Sequence, residues 1–171
     1  MPELTSETYS FRPISLAEGG SDLPFLAALY ASTRREEMAM TGWPAYQIEA
    51  FLRQQFEAQH RFYQDQFSSA QFDIILDAAG EPIGRLYLDE REDEIRVIDI
   101  ALLPDARGRG IGGRIMADIL DKAFASEKTV RIHVEQNNPA MRLYRRLGFK
   151  MIEEQGVYYL MEAVPPSRAA A

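Results

Sequence analysis

The sequence predicts one α/β domain built on a mixed, mainly antiparallel sheet flanked by helices, and three observations carry that prediction. Apolar residues recur at helical spacing in two stretches of the N-terminal half. Strand-forming runs flank short glycine-bearing turns at Ala79-Gly80-Glu81 and Gln155-Gly156, which is hairpin composition. A glycine-rich stretch, Arg107 to Gly113, stands where a strand gives way to a helix. The chain has 171 residues, 46% apolar and 11% aromatic, enough for one sizeable core. A single domain is expected over residues 1–164, followed by a mobile tail, 165–171, with little to bury.

Taken in order, Tyr9 to Ile14 alternates and ends at a Gly19-Gly20-Ser21 loop, so it reads as the first strand. Ser21 or Asp22 is the candidate cap of a helix from Leu23 to about Arg35, in which Leu26, Leu29 and Tyr30 share a face. Trp43-Pro44 interrupts, and a longer helix spans Ala45 to Phe67, with Ile48, Phe51, Leu52, Phe56, Phe62 and Tyr63 mostly on one side. Phe72–Leu76 and Pro82–Leu88 form a hairpin. The charged run Asp89 to Glu94 reads as the solvated tip of a second hairpin, leading into a strand from Ile95 to Leu103. A helix from Ile111 to Ala125 and a strand from Val130 to Glu135 follow. A short helix from Pro139 to Arg146 comes next, with Asn138 before it and Gly148 ending it, then a last hairpin, Phe149–Ile152 with Val157–Met161.

Composition removes several function classes. Nineteen basic against twenty-six acidic residues give a net charge of -7, which opposes binding to nucleic acid or anionic lipid. The absence of cysteine removes thiol nucleophiles, disulfides and cysteine-ligated zinc, and two histidines without a ligand motif argue against a metal. Met1 to Glu7 is acidic with no apolar run behind it, and no stretch approaches membrane-spanning length, so a cytoplasmic protein is expected.

Arg107-Gly108-Arg109-Gly110-Ile111-Gly112-Gly113 carries the chemistry. Glycines let the backbone turn sharply and approach a ligand, unpaired amides point outward, and the positive helix end favours a phosphate or pyrophosphate. Arg107 and Arg109 add charge; a plain surface turn would gain nothing from two arginines. Gly108-x-Gly110-x-x-Gly113 also fits a dinucleotide-binding fingerprint, with Glu135 as the ribose contact and a nicotinamide-dependent oxidoreductase as the consequence. Against it, Pro104 to Arg107 separates strand from glycines, and the upstream helices and hairpins are not repeated strand-helix-strand units.

The segment Ile100 to Gly112 resembles the coenzyme-binding stretch of the GNAT acetyltransferases, Arg/Gln-x-x-Gly-x-Gly/Ala. Asn137 to Phe149 is similar to that family's Asn-x-x-Ala…Leu-Tyr…Leu-Gly-Phe stretch. The resemblance implies a GNAT-type sheet whose fourth and fifth strands splay apart to admit acetyl-CoA. It implies that backbone groups of Ala101, Leu102 and Leu103 pair with the pantetheine arm and that an amide near Leu102 or Leu103 polarises the thioester carbonyl. The loop Arg107, Gly108, Arg109, Gly110, Ile111, Gly112 and Gly113 would grip the diphosphate, and Asn137 would help to hold the arm. Tyr144 matches the tyrosine that protonates the departing thiolate; read by itself, a helical tyrosine between Leu143 and Leu147 is a core residue.

An amine acceptor must lose a proton before attack. Asp99, which interrupts the apolar strand Val97-Ile98-Asp99-Ile100, is the candidate base, with Glu94, Glu135 or water behind it. In the family, acceptor choice comes from the two N-terminal helices and their loop. Glu36, Glu37 and Trp43 are the candidate acceptor contacts here, against a solvated helix end as the plain reading. The acceptor is expected to be an amine on a small molecule or a protein, and a homodimer is compatible with the resemblance. A CoA-binding regulatory module without catalysis is the non-enzyme alternative. His133 and His60 are expected on a strand and a helix surface without catalytic duty.

Overall fold

The computed structural model describes residues 8–169. The expectation that Met1 to Glu7 carries no export signal falls outside them. The elements run β1 (Tyr9–Pro13), α1 (Asp22–Ala39), α2 (Ala45–Gln66), β2 (Gln71–Asp77), β3 (Pro82–Glu90), β4 (Glu94–Leu102), α3 (Ile111–Ala125), β5 (Thr129–Glu135), α4 (Met141–Arg146), β6 (Lys150–Gln155), β7 (Tyr158–Ala163) and the one-turn α5 (Pro166–Ala169). The strands form one sheet in the order β1-β2-β3-β4-β5-β7-β6. Every neighbouring pair is antiparallel except β4 with β5. The expected α/β class, mixed and mainly antiparallel, is what the chain adopts.

Alternation along the strands sends side chains to two separate helix layers. Ile74 packs with Leu26, Tyr30, Met38, Leu52 and Phe56 under α1 and α2. Its neighbour Ile75 joins Leu86, Leu88, Ile95 and Val97 under α3, whose buried stripe is Ile115, Met116, Ile119, Leu120 and Ala123. Each such fully buried side chain contributes roughly 1.5–3 kcal/mol of gross transfer energy, so both layers anchor the sheet.

Local chemistry departs from expectation in four places. Ser21 makes no side-chain cap, and Asp22 instead accepts two 2.9 Å bonds from Arg12 and the Ser15 amide at 2.7 Å, bolting α1 to the end of β1. Phe62 lies off the buried face of α2 and is exposed. The charged run Asp89 to Glu94 is not one solvated tip. Asp89 is buried on Arg91, and Glu94 also binds Arg91, so only residues 91–93 form the turn. In the segment expected as a tail, α5 sets Ser167 Oγ on Glu127 and Arg168 on Thr129.

β4 and β5 pair only from Glu94↔Thr129 to Val97↔Ile132. Across β3, Leu88 faces Val97 and Tyr87 faces Asp99, so Ile98 is an extra residue: a β-bulge, which bends its strand. Past this bulge β4 leaves β5, and β5 keeps pairing with β7 out to Glu135. The bulge also resets the alternation. Ile95 and Val97 enter the α3 layer, and Asp99 would follow them there; with one residue inserted, Ile100 and Leu102 take that side and Asp99 turns toward Arg85 and α2.

Candidate active site

The loop at the mouth of the β4–β5 gap is built to leave amides free. Pro104–Ala106 forms a 3₁₀ turn with Ala106 buried, and Gly108 and Gly110 adopt φ of 74° and 79°, a region open mainly to glycine. The first amide to bond back into α3 is Arg114, to Gly110 O. The six amides from Gly108 to Gly113 donate to no acceptor among the described residues. They converge with the positive end of a 15-residue helix, which makes a ready anion site. Arg109 is exposed beside it, whereas Arg107 donates from Nε to Leu102 O at 2.9 Å and so braces the strand end. Gly113 has a second reason to be glycine: a Cβ there would stand 3.2 Å from Leu143 Cδ1 of α4.

The three strand residues expected to face the gap do not contribute alike. Leu103 is committed elsewhere: its amide donates to Ile83 O at 2.8 Å and its carbonyl accepts from Ala106. Since backbone direction alternates, Ala101 also points its groups at β3, and the gap receives those of Ile100 and the amide of Leu102, whose carbonyl already accepts from Arg107. Ile100 escaped the sequence reading because the bulge at Ile98 is what fixes the phase. Gly84 lets β3 lie close here, for a Cβ would meet Ala101 O at 2.3 Å.

Tyr144 sits on α4, buried, with its ring 5.8 Å from Phe149. The helix ends in a Schellman turn: the Phe149 amide reaches Tyr144 O, the Gly148 amide reaches Arg145 O, and Gly148 has φ 97°. The Tyr144–Phe149 contact is the apolar clasp of that turn, so the Leu-Gly-Phe sequence fixes the ring. Burial, with the Asp99 charge adding to it, pushes the phenol up to about 12, so it stays protonated at neutral pH. Asn138, rather than Asn137, satisfies the local backbone by accepting from the Ala140 amide at 2.8 Å. Asn137 is exposed at the end of β5, and its side chain has no partner among the described residues.

Asp99 is not a lone carboxylate. It pairs with the Nε and Nη2 of Arg85, a side chain only 4% exposed that also donates to Gln59 Oε1 at 2.8 Å and stacks over Tyr87 at 4.9 Å. The same charge helps to raise Tyr63, after burial, so Asp99 lies within electrostatic reach of both Tyr63 and Tyr144. Arg85, Gln59 and Tyr63 were invisible to sequence reasoning, because only the β3–β4 register and the α2 packing bring them to Asp99.

The other acids separate cleanly. Glu94 lies at the closed end of the β4–β5 pair, held by Arg91, which removes it as a base near the gap. Glu135 lies at the open end and accepts from Arg34 of α1 at 2.9 Å; Arg34 also pairs with Glu37 at 3.6 Å and stacks on Tyr30. Glu37 therefore stands near the gap. Glu36 is exposed, and Trp43 packs edge-on against Phe51 of α2 at 5.6 Å. His133 bridges Arg96 and Gln155, while His60 is half-buried rather than on the helix surface. Among the described residues no three His, Asp or Glu side chains converge on a point where a metal ion could sit.

A single parallel strand pair rules out the doubly wound sheet that the dinucleotide reading needs. Residues 32–149 match the family model described as the acetyltransferase (GNAT) family. Mycothiol acetyltransferase of Corynebacterium aurimucosum is 34% identical over 61 residues, 34% of this chain and 20% of that one. The chain spans about a fifth of the length of the curated relatives it matches. Among solved structures, the PaiA N-acetyltransferase of Thermoplasma acidophilum in complex with coenzyme A superposes with a TM-score of 0.64 at 19% identity, over 92% of this chain and 99% of that one. Spermidine N-acetyltransferase of Vibrio cholerae in complex with CoA and spermine gives 0.60 at 18% identity, over 93% and 96%. A family match over more than half its length, with the fold to go with it, makes this chain a member of the GNAT acetyltransferase family, whose enzymes use acetyl-CoA.

Proposed function

We propose that the chain transfers an acetyl group from acetyl-CoA to a primary amine by direct attack in a ternary complex. One observation carries the reading: a gap between β4 and β5 with six free amides at its mouth and a buried, protonated tyrosine within reach of Asp99. The free amides suit a diphosphate, and the unpaired edge of β4 suits an extended, amide-bearing arm. Gly108 to Gly113 with Arg109 would hold the diphosphate; Ile100, Leu102 and Asn137 would hold the arm. The bound thioester supplies the activated acetyl group.

The chain's residues do the rest. The Leu102 amide donates a hydrogen bond where negative charge builds on the carbonyl oxygen. Asp99, or a water it orders, takes the proton from the incoming ammonium. Tyr144 donates to the departing sulfur. An ordinary thiol titrates near 8.5, so a phenol pushed up to about 12 releases its proton fully only to a sulfur that is itself desolvated; until then it acts as a hydrogen-bond donor. Glu36 and Glu37 with Trp43 favour a cationic acceptor, and the spermine-bound relative supports an amine. The net charge of -7 argues against a nucleic-acid partner, and the family resemblance supports a homodimer.

The test measures free thiol release from acetyl-CoA with a panel of polyamines, amino acids, aminoglycosides and peptides. Turnover on at least one amine is expected, together with thermal stabilisation by acetyl-CoA. Stabilisation without turnover on any amine would assign a regulatory CoA-binding module instead, and stabilisation by NAD alone would overturn the assignment.

A further inference from the structure

Two arginine–aspartate pairs in this protein differ in geometry. Arg12 grips Asp22 fork to fork, Nη1 on one carboxylate oxygen and Nη2 on the other, each at 2.9 Å. Arg85 instead sends both Nε and Nη2 to a single oxygen of Asp99, Oδ2. Asp99 Oδ1 accepts from no described residue and is open to solvent, in a side chain that is 25% exposed. For neutralising charge alone the two-oxygen fork is the stronger arrangement, so the one-sided pair needs another reason.

The surroundings of Arg85 supply it. Tyr87 stands opposite Asp99 and Arg85 opposite Ala101, so the guanidinium approaches Asp99 along a diagonal between β3 and β4. Its carbon lies 4.9 Å over the Tyr87 ring, and that ring is itself fixed by edge contacts with Tyr63 at 6.0 Å and Phe72 at 4.8 Å. From α2, Gln59 Oε1 accepts from Nη2 at 2.8 Å. A neutral amide satisfies this donor without competing for its charge, which stays committed to Asp99. We propose that Arg85 and Gln59 are positioning residues for proton removal from the acceptor: Gln59 pins the Arg85 fork on Asp99 Oδ2 and so leaves Oδ1 aimed at the incoming ammonium. Neither touches a reacting atom; both act through Asp99. The inference rests on the reading of Asp99 as the base of an acetyltransferase.

Two variants separate positioning from packing. Gln59→Leu removes the pin at a half-buried helix position, and Arg85→Lys keeps the charge but loses the fork. Thiol release from acetyl-CoA is measured with spermidine, lysine, kanamycin and a lysine-containing peptide as acceptors. A positioned base contributes roughly 10²–10⁴-fold, and kcat should fall about fivefold in Gln59→Leu and about tenfold in Arg85→Lys, with KM for acetyl-CoA unchanged. In ¹⁵N–¹H spectra the Arg85 Nε–H should exchange with water at least about tenfold faster in Gln59→Leu than in the parent. Should Arg85→Lys fail to fold, the two readouts on Gln59→Leu decide. No release by the parent with any of the four amines would overturn the acetyltransferase reading and this inference with it. An active parent whose variants match it in kcat, or an unchanged Arg85 exchange rate in Gln59→Leu, would overturn the inference alone.

Discussion

Asp99→Asn separates two roles that coincide in one side chain. The Asp99 carboxylate neutralises Arg85, whose side chain is 4% exposed and, among the described residues, donates besides only to Gln59. Removing one partner of a buried pair costs about 3–5 kcal/mol, because the other charge stays buried and unpaired. Asp99 itself is 25% exposed and water can reach part of the site, so the low end applies, about 3 kcal/mol. For a domain of this size that is a fall of roughly 6–12 °C in Tm. The pair replacement Arg85→Met with Asp99→Leu removes both charges together and should recover most of the loss. Urea denaturation of the three proteins measures the stabilities, and thiol release measures activity. The account predicts a destabilised single variant, a restored double variant, and low turnover in both. A single variant within about 1 kcal/mol of the parent would refute the burial argument; turnover restored in the double variant would reduce Asp99 to a structural partner.

Tyr144→Phe should lower kcat while leaving CoA affinity and Tm nearly unchanged, since its hydroxyl has no hydrogen-bond partner among the described residues; calorimetry with CoA and steady-state rates check this. Above pH 10 the fold should weaken. The pKa of Tyr144 is raised to about 12 by burial, and Tyr63 and Tyr87 are raised in the same direction, whereas tyrosines in the unfolded chain ionise near 10. Their stabilisation is therefore whole below pH 10 and is lost as pH climbs from about 10 through about 12, a slope that Tyr144→Phe should flatten in alkaline urea titrations. Gly110→Ala should cost about 1–2 kcal/mol from backbone strain alone, because no atom lies within 4 Å of the added Cβ; a change within about 0.3 kcal/mol by urea denaturation would count against the φ of 79°.

Much of this was readable in advance because the signals are local. Helix α3 begins at Ile111 and ends at Ala125 as periodicity and the preceding glycines require. Gly148 and Phe149 announce the end of α4 and thereby the orientation of Tyr144. What could not be read depends on register. The adjacent apolar pair Val97-Ile98 is the only trace of the bulge in the sequence, and without it the phase of Asp99, Ile100 and Leu102 is ambiguous. That is why Leu103, consumed by Ile83 and the 3₁₀ turn, was expected in the gap in place of Ile100. Arg85 on β3 reaches Asp99 across 14 positions of sequence, Gln59 on α2 reaches Arg85 across 26, and Arg34 reaches Glu135 across 101. Asp22 resembled a helix cap, but a bidentate arginine binds it more strongly than helix amides would.

The glycine amides themselves provide the decisive measurement. In a ¹⁵N–¹H titration with coenzyme A, the resonances of Gly108, Gly110, Gly112 and Gly113 should move downfield together and saturate, while Gly19, Gly42, Gly80 and Gly156, in turns elsewhere, stay in place. Unmoved resonances in the loop, or the same shifts on adding NAD, would contradict the claim that this turn grips the diphosphate of coenzyme A.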